Sequence, residues 1–184
     1  MNDVEIIDNF LDFSIFKNIQ SQIYSPEMFW AYDKVVGDTD YNQSQLLCDE
    51  LDNHQLSHVC YDNFVPNSAC YEWFLPIVHN PKFNVKSLCR IKVNLNLRTP
   101  ERVIHGYHTD FPFECKTAIF YINSNNGLTL FKNGQIIESV ENRMVIFNSQ
   151  LEHTGTTSTD TKNRIVVNFC LLYTSDAADE RSSV

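Results

Sequence analysis

Cys89-Arg90-Ile91-Lys92-Val93-Asn94-Leu95-Asn96-Leu97-Arg98 is the stretch whose reading decides the fold. Apolar residues at 89, 91, 93, 95 and 97 alternate with polar ones at 90, 92, 94, 96 and 98. That period of two belongs to a strand with unlike faces. Downstream, further strands are predicted over residues 117–122, 128–131, 135–139, 143–148 and 164–169. Asn133-Gly134 between two of them is a hairpin signal, since tight hairpin turns need positive φ. Asn125-Asn126-Gly127 reads as another turn. Short strands at this spacing suggest a sandwich or a jelly-roll barrel.

Upstream of residue 88 the pattern is mixed. Val4–Ile7 reads as a short strand, and Ser14 is placed to cap a helix carrying Ile15, Phe16, Ile19 and Ile23 on one face. A second helix is predicted from Pro66-Asn67-Ser68 through Tyr71, Trp73 and Phe74, with Pro76 disturbing its C-terminal half. The polar run from Asp38 to Asn53 is expected to be a mobile loop. The predicted fold class is mainly β with N-terminal helices, the helices packed on one sheet.

The chain has 184 residues, enough for one domain with a sizeable core. Its 43% apolar and 20% charged residues make a globular balance. The formal charge of -9 disfavours phosphate backbones and anionic membranes, so nucleic acid is an unfavoured substrate. No apolar run approaches the ~20 residues of a membrane-spanning helix, and Met1–Glu5 lacks the basic, apolar start of a signal peptide. The six cysteines never occur as C-x-x-C, which gives neither a zinc site nor a disulfide framework and fits a reducing cytoplasm. Residues 1–169 are expected to form a single domain, with 1–87 as a mixed support region and 88–169 as the jelly-roll core. Residues 170–184 are set aside as a non-native tail, because Cys170–Glu180 resembles a translated sequencing adapter.

The chemistry concentrates in His105-Gly106-Tyr107-His108-Thr109-Asp110. Side chains at i and i+2 of a strand share a face, so His108 and Asp110 can converge on one ion. His153 lies beyond the intervening strands, in Leu151-Glu152-His153-Thr154-Gly155. Two imidazoles and a carboxylate on one face leave the opposite coordination positions open, the arrangement of non-haem iron(II) oxygenases. Eleven positions later, Arg164 opens Arg164-Ile165-Val166-Val167-Asn168-Phe169. A guanidinium directed into a barrel is costly unless an anion meets it, and a dicarboxylate would do so in bidentate fashion. Lys92, Asn94 and Asn96 share the polar face of their strand, which lines either the pocket or a solvated outer surface. His105 reads as a substrate contact or as a loop histidine without a partner, and Thr156–Thr159 as a polar loop.

The ordered set of His-x-Asp at 108–110, Tyr-Ile-Asn at 121–123, Gly-x-Thr-x-Phe at 127–131, Arg-Met-Val-Ile-Phe at 143–147, His-x-Gly at 153–155 and Arg-Ile-Val-Val-Asn-Phe at 164–169 resembles the prolyl-4-hydroxylase-like oxygenases. It looks closest to compact versions carried by bacteriophages of marine cyanobacteria. The resemblance is strong over residues 88–169 and faint over 1–87. It implies a double-stranded β-helix, Fe(II) held by His108, Asp110 and His153, and 2-oxoglutarate as cosubstrate. Arg164 would meet the distal carboxylate, with Tyr121 bonding the same end and Asn96 standing where some relatives carry a further tyrosine. The implied reaction uses dioxygen, with ascorbate as an accessory reductant, and hydroxylates a small molecule or a peptide side chain such as proline. Two alternatives stay open: a non-catalytic β-sandwich binding module of phage origin, and a jelly-roll metalloenzyme that uses no 2-oxoglutarate.

Overall fold

The computed structural model describes residues 4–35, 46–83, 85–111 and 113–172. Residues 38–45 of the expected loop and 173–184 of the tail lie outside them. In chain order the elements are β1 (Glu5–Ile7), α1 (Phe13–Ile23), β2 (Ala31–Asp33), a 3-10 turn (Glu50–Asp52), β3 (Gln55–Asp62) and β4 (Val65–Pro66). A 3-10 helix (Ala69–Phe74) then runs into α2 (Leu75–Val78). The strands β5 (Ser87–Leu97), β6 (Lys116–Tyr121), β7 (Asn125–Phe131), β8 (Ile136–Ser139), β9 (Met144–Asn148), β10 (His153–Gly155) and β11 (Asn163–Leu172) follow.

The strands form two antiparallel sheets. The large one runs β1-β9-β6-β11-β5-β3-β2, with β4 paired to β3, and the small one runs β10-β7-β8. This is the jelly-roll arrangement expected from the strand spacing. Alternation then sorts side chains to the two faces of the large sheet. Ile91, Val93 and Leu95 of β5, Ala118 and Phe120 of β6, Met144 and Ile146 of β9, and Ile165, Val167, Phe169 and Leu171 of β11 join one core with Phe16, Ile19 and Ile23 of α1. The other face meets the small sheet, where Ile119, Tyr121, Val145, Phe147 and Val166 pack with Phe131 and Ile137. Asn94 and Asn96 belong to that inner face and are buried. Asn94 and Asn96 of the polar side of β5 therefore look into the barrel, not into solvent.

Several expectations need correction. α1 begins at Phe13 after Asp12, so Ser14 sits inside the first turn and caps nothing. Its buried stripe is Phe16, Ile19 and Ile23, and Ile15 falls off it, 38% exposed. The second helix is a 3-10 helix followed by α2, and Pro76 occupies the first turn of α2, where its missing N–H breaks no helical bond. Asn125–Gly127 is no turn but the start of β7, with a bulge between Asn125 and Leu128. Gly134, at φ +91°, does form the expected hairpin turn between β7 and β8. β2 and β3 were not anticipated, because residues 55–62 lack a clean alternation.

β11 continues past Phe169 to Leu172, with Cys170 and Leu171 fully buried against β5 and β6. The described core closes there. Deleting Thr174–Val184 is therefore expected to leave the melting temperature and metal binding unchanged, and differential scanning calorimetry of the shortened chain checks this. A drop of several degrees would show that the segment packs. Among the described residues no helix is long and apolar enough to cross a membrane.

Candidate metal centre

His108 and His153 meet across a pair of backbone hydrogen bonds. His108 N–H donates to His153 O at 2.9 Å, and His153 N–H donates to His108 O at 3.0 Å. β10 holds His153 in the small sheet opposite Phe131, and the two imidazoles lie 4.8 Å apart between centroids. Nδ1 of His108 faces Gly106 O at 3.3 Å, and Nδ1 of His153 faces Leu151 O at 3.0 Å. A carbonyl only accepts, so each Nδ1 donates its proton there and Nε2 is the ring atom left to face a metal.

Asp110 follows the His108 bridge at a bend, and its side chain is 4% exposed. Its Oδ2 lies 3.6 Å from His153 Nε2 and has no hydrogen-bond partner. On the other oxygen, Arg90 Nη2 approaches to 3.6 Å, its guanidinium also lying over the Phe111 ring. Burial alone would raise the Asp110 pKa, but His153, Arg90 and His108 together hold it below the usual carboxylate range. Burial, reinforced by His153, pushes the His108 pKa down to about 4, so the ring is neutral and able to coordinate near neutrality. The three ligand atoms lie within 4.8 Å of one another. A buried carboxylate oxygen without a partner costs on the order of 1–3 kcal/mol or more, and a bound cation removes that cost. Two imidazoles and one carboxylate suit a first-row divalent ion such as Fe(II).

Arg164 lies on β11 directly opposite Asn96 of β5 and is 3% exposed. Its Nε donates to Ser139 Oγ and its Nη2 to Thr129 Oγ1, both at 2.9 Å. No carboxylate among the described residues pairs with it. Burial lowers its pKa, an opposition that a bound anion would relieve. Gly127 is what lets the side chain pass, since a Cβ there would sit 2.5 Å from Arg164 Cδ. Thr129 also bonds the Tyr121 hydroxyl at 2.7 Å. Tyr121 thus braces the arginine through Thr129, and it is Thr129 that lines the cavity.

One cavity of about 450 Å³, counting solvent at its mouth, joins these parts: His108, His153, Arg164, Asn96, Asn94 and Asn168 all line it. Lys92 turns away to Asp33 Oδ2, 2.6 Å distant, and so leaves the pocket wall. Thr156–Thr159 lead into the irregular segment 157–162, the polar loop expected, and Thr156, Thr157 and Ser158 are buried within it. Thr156 Oγ1 accepts from Leu128 N–H of β7 and Thr157 Oγ1 from Val103 N–H, tying this segment to β7 and to the chain at residue 103. Sequence reasoning missed Arg90, Thr129, Ser139 and Asn168. Thr129 was within reach, because it shares the face of Gly127 and Phe131 in the Gly-x-Thr-x-Phe motif.

His105 is neither exposed nor part of the cavity wall. It is fully buried, with Nδ1 3.9 Å from Cys48 Sγ and Nε2 unpartnered. Burial, aided by the positive charge of Arg164, lowers its pKa to about 4 from an ordinary 6.5. Between those values the unfolded chain binds a proton that the folded chain refuses, so stability falls as pH drops from 6.5 towards 4. His105→Leu is expected to flatten this limb by up to about 1.4 kcal/mol per pH unit while leaving metal binding intact. Urea unfolding at pH 7, 6 and 5 with bound-metal analysis measures both.

No protein-family model and no curated protein sequence matches the chain. Solved structures do match. A 2OG-Fe(II) oxygenase-family oxidoreductase from Burkholderia pseudomallei aligns with TM-score 0.60 at 10% identity, over 91% of this chain and 84% of that one. A Trichoplax adhaerens prolyl hydroxylase, solved with a hypoxia inducible factor peptide fragment, gives 0.57 at 12% identity, over 94% and 84%. A Pseudomonas putida prolyl-4-hydroxylase gives 0.52 at 11%, over 95% of both chains. At such identities the likeness is one of fold.

Proposed function

We propose that this chain is an Fe(II)- and 2-oxoglutarate-dependent oxygenase that hydroxylates a small-molecule or peptide substrate. The observation that carries the reading is a single cavity with two unsatisfied ends. One end presents His108 and His153, with Asp110 Oδ2 beside them; the other presents the buried guanidinium of Arg164, with hydroxyls but no acid beside it. A bare metal site has no use for the arginine, and a bare anion site has no use for the triad. When bound, iron and 2-oxoglutarate supply the oxidation, with dioxygen consumed and carbon dioxide and succinate released.

The chain's own residues do the rest. His108, Asp110 and His153 would hold the metal from one side and leave its other positions open. Arg164, steadied by Ser139 and Thr129, would anchor one carboxylate of the cosubstrate, with Asn96 across the sheet at the same level. Ile119 and Val166 add an apolar stretch to an otherwise polar wall and would help exclude water from the reacting centre. Ascorbate would act only as an external reductant. Succinate formation by purified, iron-loaded protein, measured with and without candidate substrates, tests the reading. The proposal expects succinate that depends on both Fe(II) and 2-oxoglutarate; none under any condition counts against it.

A further inference from the structure

Of the polar residues on the inner side of β5, Asn94 and Asn96 line the cavity and Lys92 is taken up by Asp33. Arg90 reaches instead toward the metal cluster, with Nη2 3.6 Å from Asp110 Oδ1. Its placement is costly. The side chain is only 25% exposed and Nε is buried without a partner. Opposite it on β11 stands Cys170, whose thiol is a weak acceptor. Among the described residues Asp110 is the carboxylate in ion-pair contact with it. A guanidinium held on those terms adds little to stability, since an apolar side chain of the same volume would fill the place without that cost. Its use lies in what it does to Asp110.

The contacts around Asp110 divide between carboxylate and backbone. Arg90 acts on the carboxylate: it meets Oδ1, and the ring of Phe111, the next residue, steadies the guanidinium from 5.0 Å. The backbone is fastened separately. Gln150 Nε2 donates to Phe111 O at 2.7 Å and to Phe113 O at 3.1 Å, and Ser149 Oγ donates to Phe113 O at 3.0 Å. Removing Arg90 would therefore free the carboxylate to turn without loosening the chain that carries it. As it stands, Oδ1 is engaged, and Oδ2, 3.6 Å from His153 Nε2, is the oxygen without a partner. Thr117 Oγ1 lies near the same carboxylate but makes no hydrogen bond. We infer that Arg90 is a positioning residue for the metal centre: by holding Oδ1 it leaves Oδ2 as the one ligand atom of Asp110. A carboxylate free to turn can give a metal both oxygens, and the second would take a position that the triad leaves open. The inference rests on the metal-binding reading and adds the residue that keeps those positions free.

The test loads the full chain with Mn(II) under nitrogen and reads metal-bound water from the relaxation of solvent protons, so that no turnover is involved. Wild type, Arg90→Met and Arg90→Lys are compared, with bound Mn(II) counted by equilibrium dialysis and each thermal melt checked. A six-coordinate ion on three protein ligand atoms leaves three positions to water, so a second Asp110 oxygen in Arg90→Met is expected to lower the bound-water relaxation by roughly a third. Arg90→Lys keeps a cation before Oδ1 and should recover about half of that loss or more, though its ammonium lacks the planar fork. Unchanged or increased relaxation in Arg90→Met, loss of Mn(II) from it alone, or a lysine variant no better than the methionine one overturns the inference and leaves the triad in place. A wild type that binds no Mn(II) overturns the metal-binding reading itself, and the inference with it. If Arg90→Met melts early, Arg90→Gln, too short to reach Oδ1, is read in its place below its own melting temperature, and the same outcomes decide.

Discussion

Asp110→Ala is expected to lower Fe(II) affinity by at least about 100-fold and to abolish succinate formation, with the fold retained. Outer residues that merely orient metal ligands are typically worth 10–100-fold, and Asp110 supplies a ligand atom itself. Among the described residues it is also the only carboxylate in the cluster with His108 and His153. His108→Ala and His153→Ala should do the same, each removing one of the cluster's two imidazoles. Equilibrium dialysis against Fe(II) under nitrogen, with circular dichroism as the fold control, measures the loss. Stoichiometric iron in the triple variant would place the metal elsewhere.

Arg164→Ala is expected to raise the half-saturating 2-oxoglutarate concentration by at least about tenfold while Fe(II) still binds. Charge-assisted hydrogen bonds to a carboxylate bring ~1.5–3 kcal/mol, and ~1.4 kcal/mol is already one decade. Arg164→Lys should recover only part of this, because an ammonium cannot keep Ser139 and Thr129 and also present a planar fork. Initial rates of succinate formation across a 2-oxoglutarate series give the number. Wild-type half-saturation in Arg164→Ala would remove the cosubstrate from this end of the cavity and favour a metalloenzyme that does without it.

The alternation at residues 89–97 carried most of what was legible. It gave β5 nearly to the residue, and the strands expected at 117–122, 135–139, 143–148 and 164–169 match β6, β8, β9 and β11 within a few residues. It could not say which face was wet, because a polar face turned into a polar cavity reads like one turned into solvent. Only the pairing with Arg164 and Asn168 of β11 distinguishes them. β3 stayed hidden for a related reason: its buried Gln55 and Ser57 satisfy the cavity and Asp33, not the hydrophobic period. The triad was legible because coordination chemistry restricts which residue types serve, and the structure brings all three together. The parts that hold Arg164 were less so, since a Ser or Thr hydroxyl can brace an arginine from almost any strand. Tyr121 shows the limit: its place beside the guanidinium was foreseeable, its contact through Thr129 was not.

The most direct measurement is an anaerobic titration of the Fe(II)-loaded wild type with 2-oxoglutarate, followed by visible charge-transfer absorbance. One iron per chain and a band that saturates at one equivalent of 2-oxoglutarate are the expected result. Iron bound with no band at any 2-oxoglutarate concentration, or no iron bound at all, would contradict it.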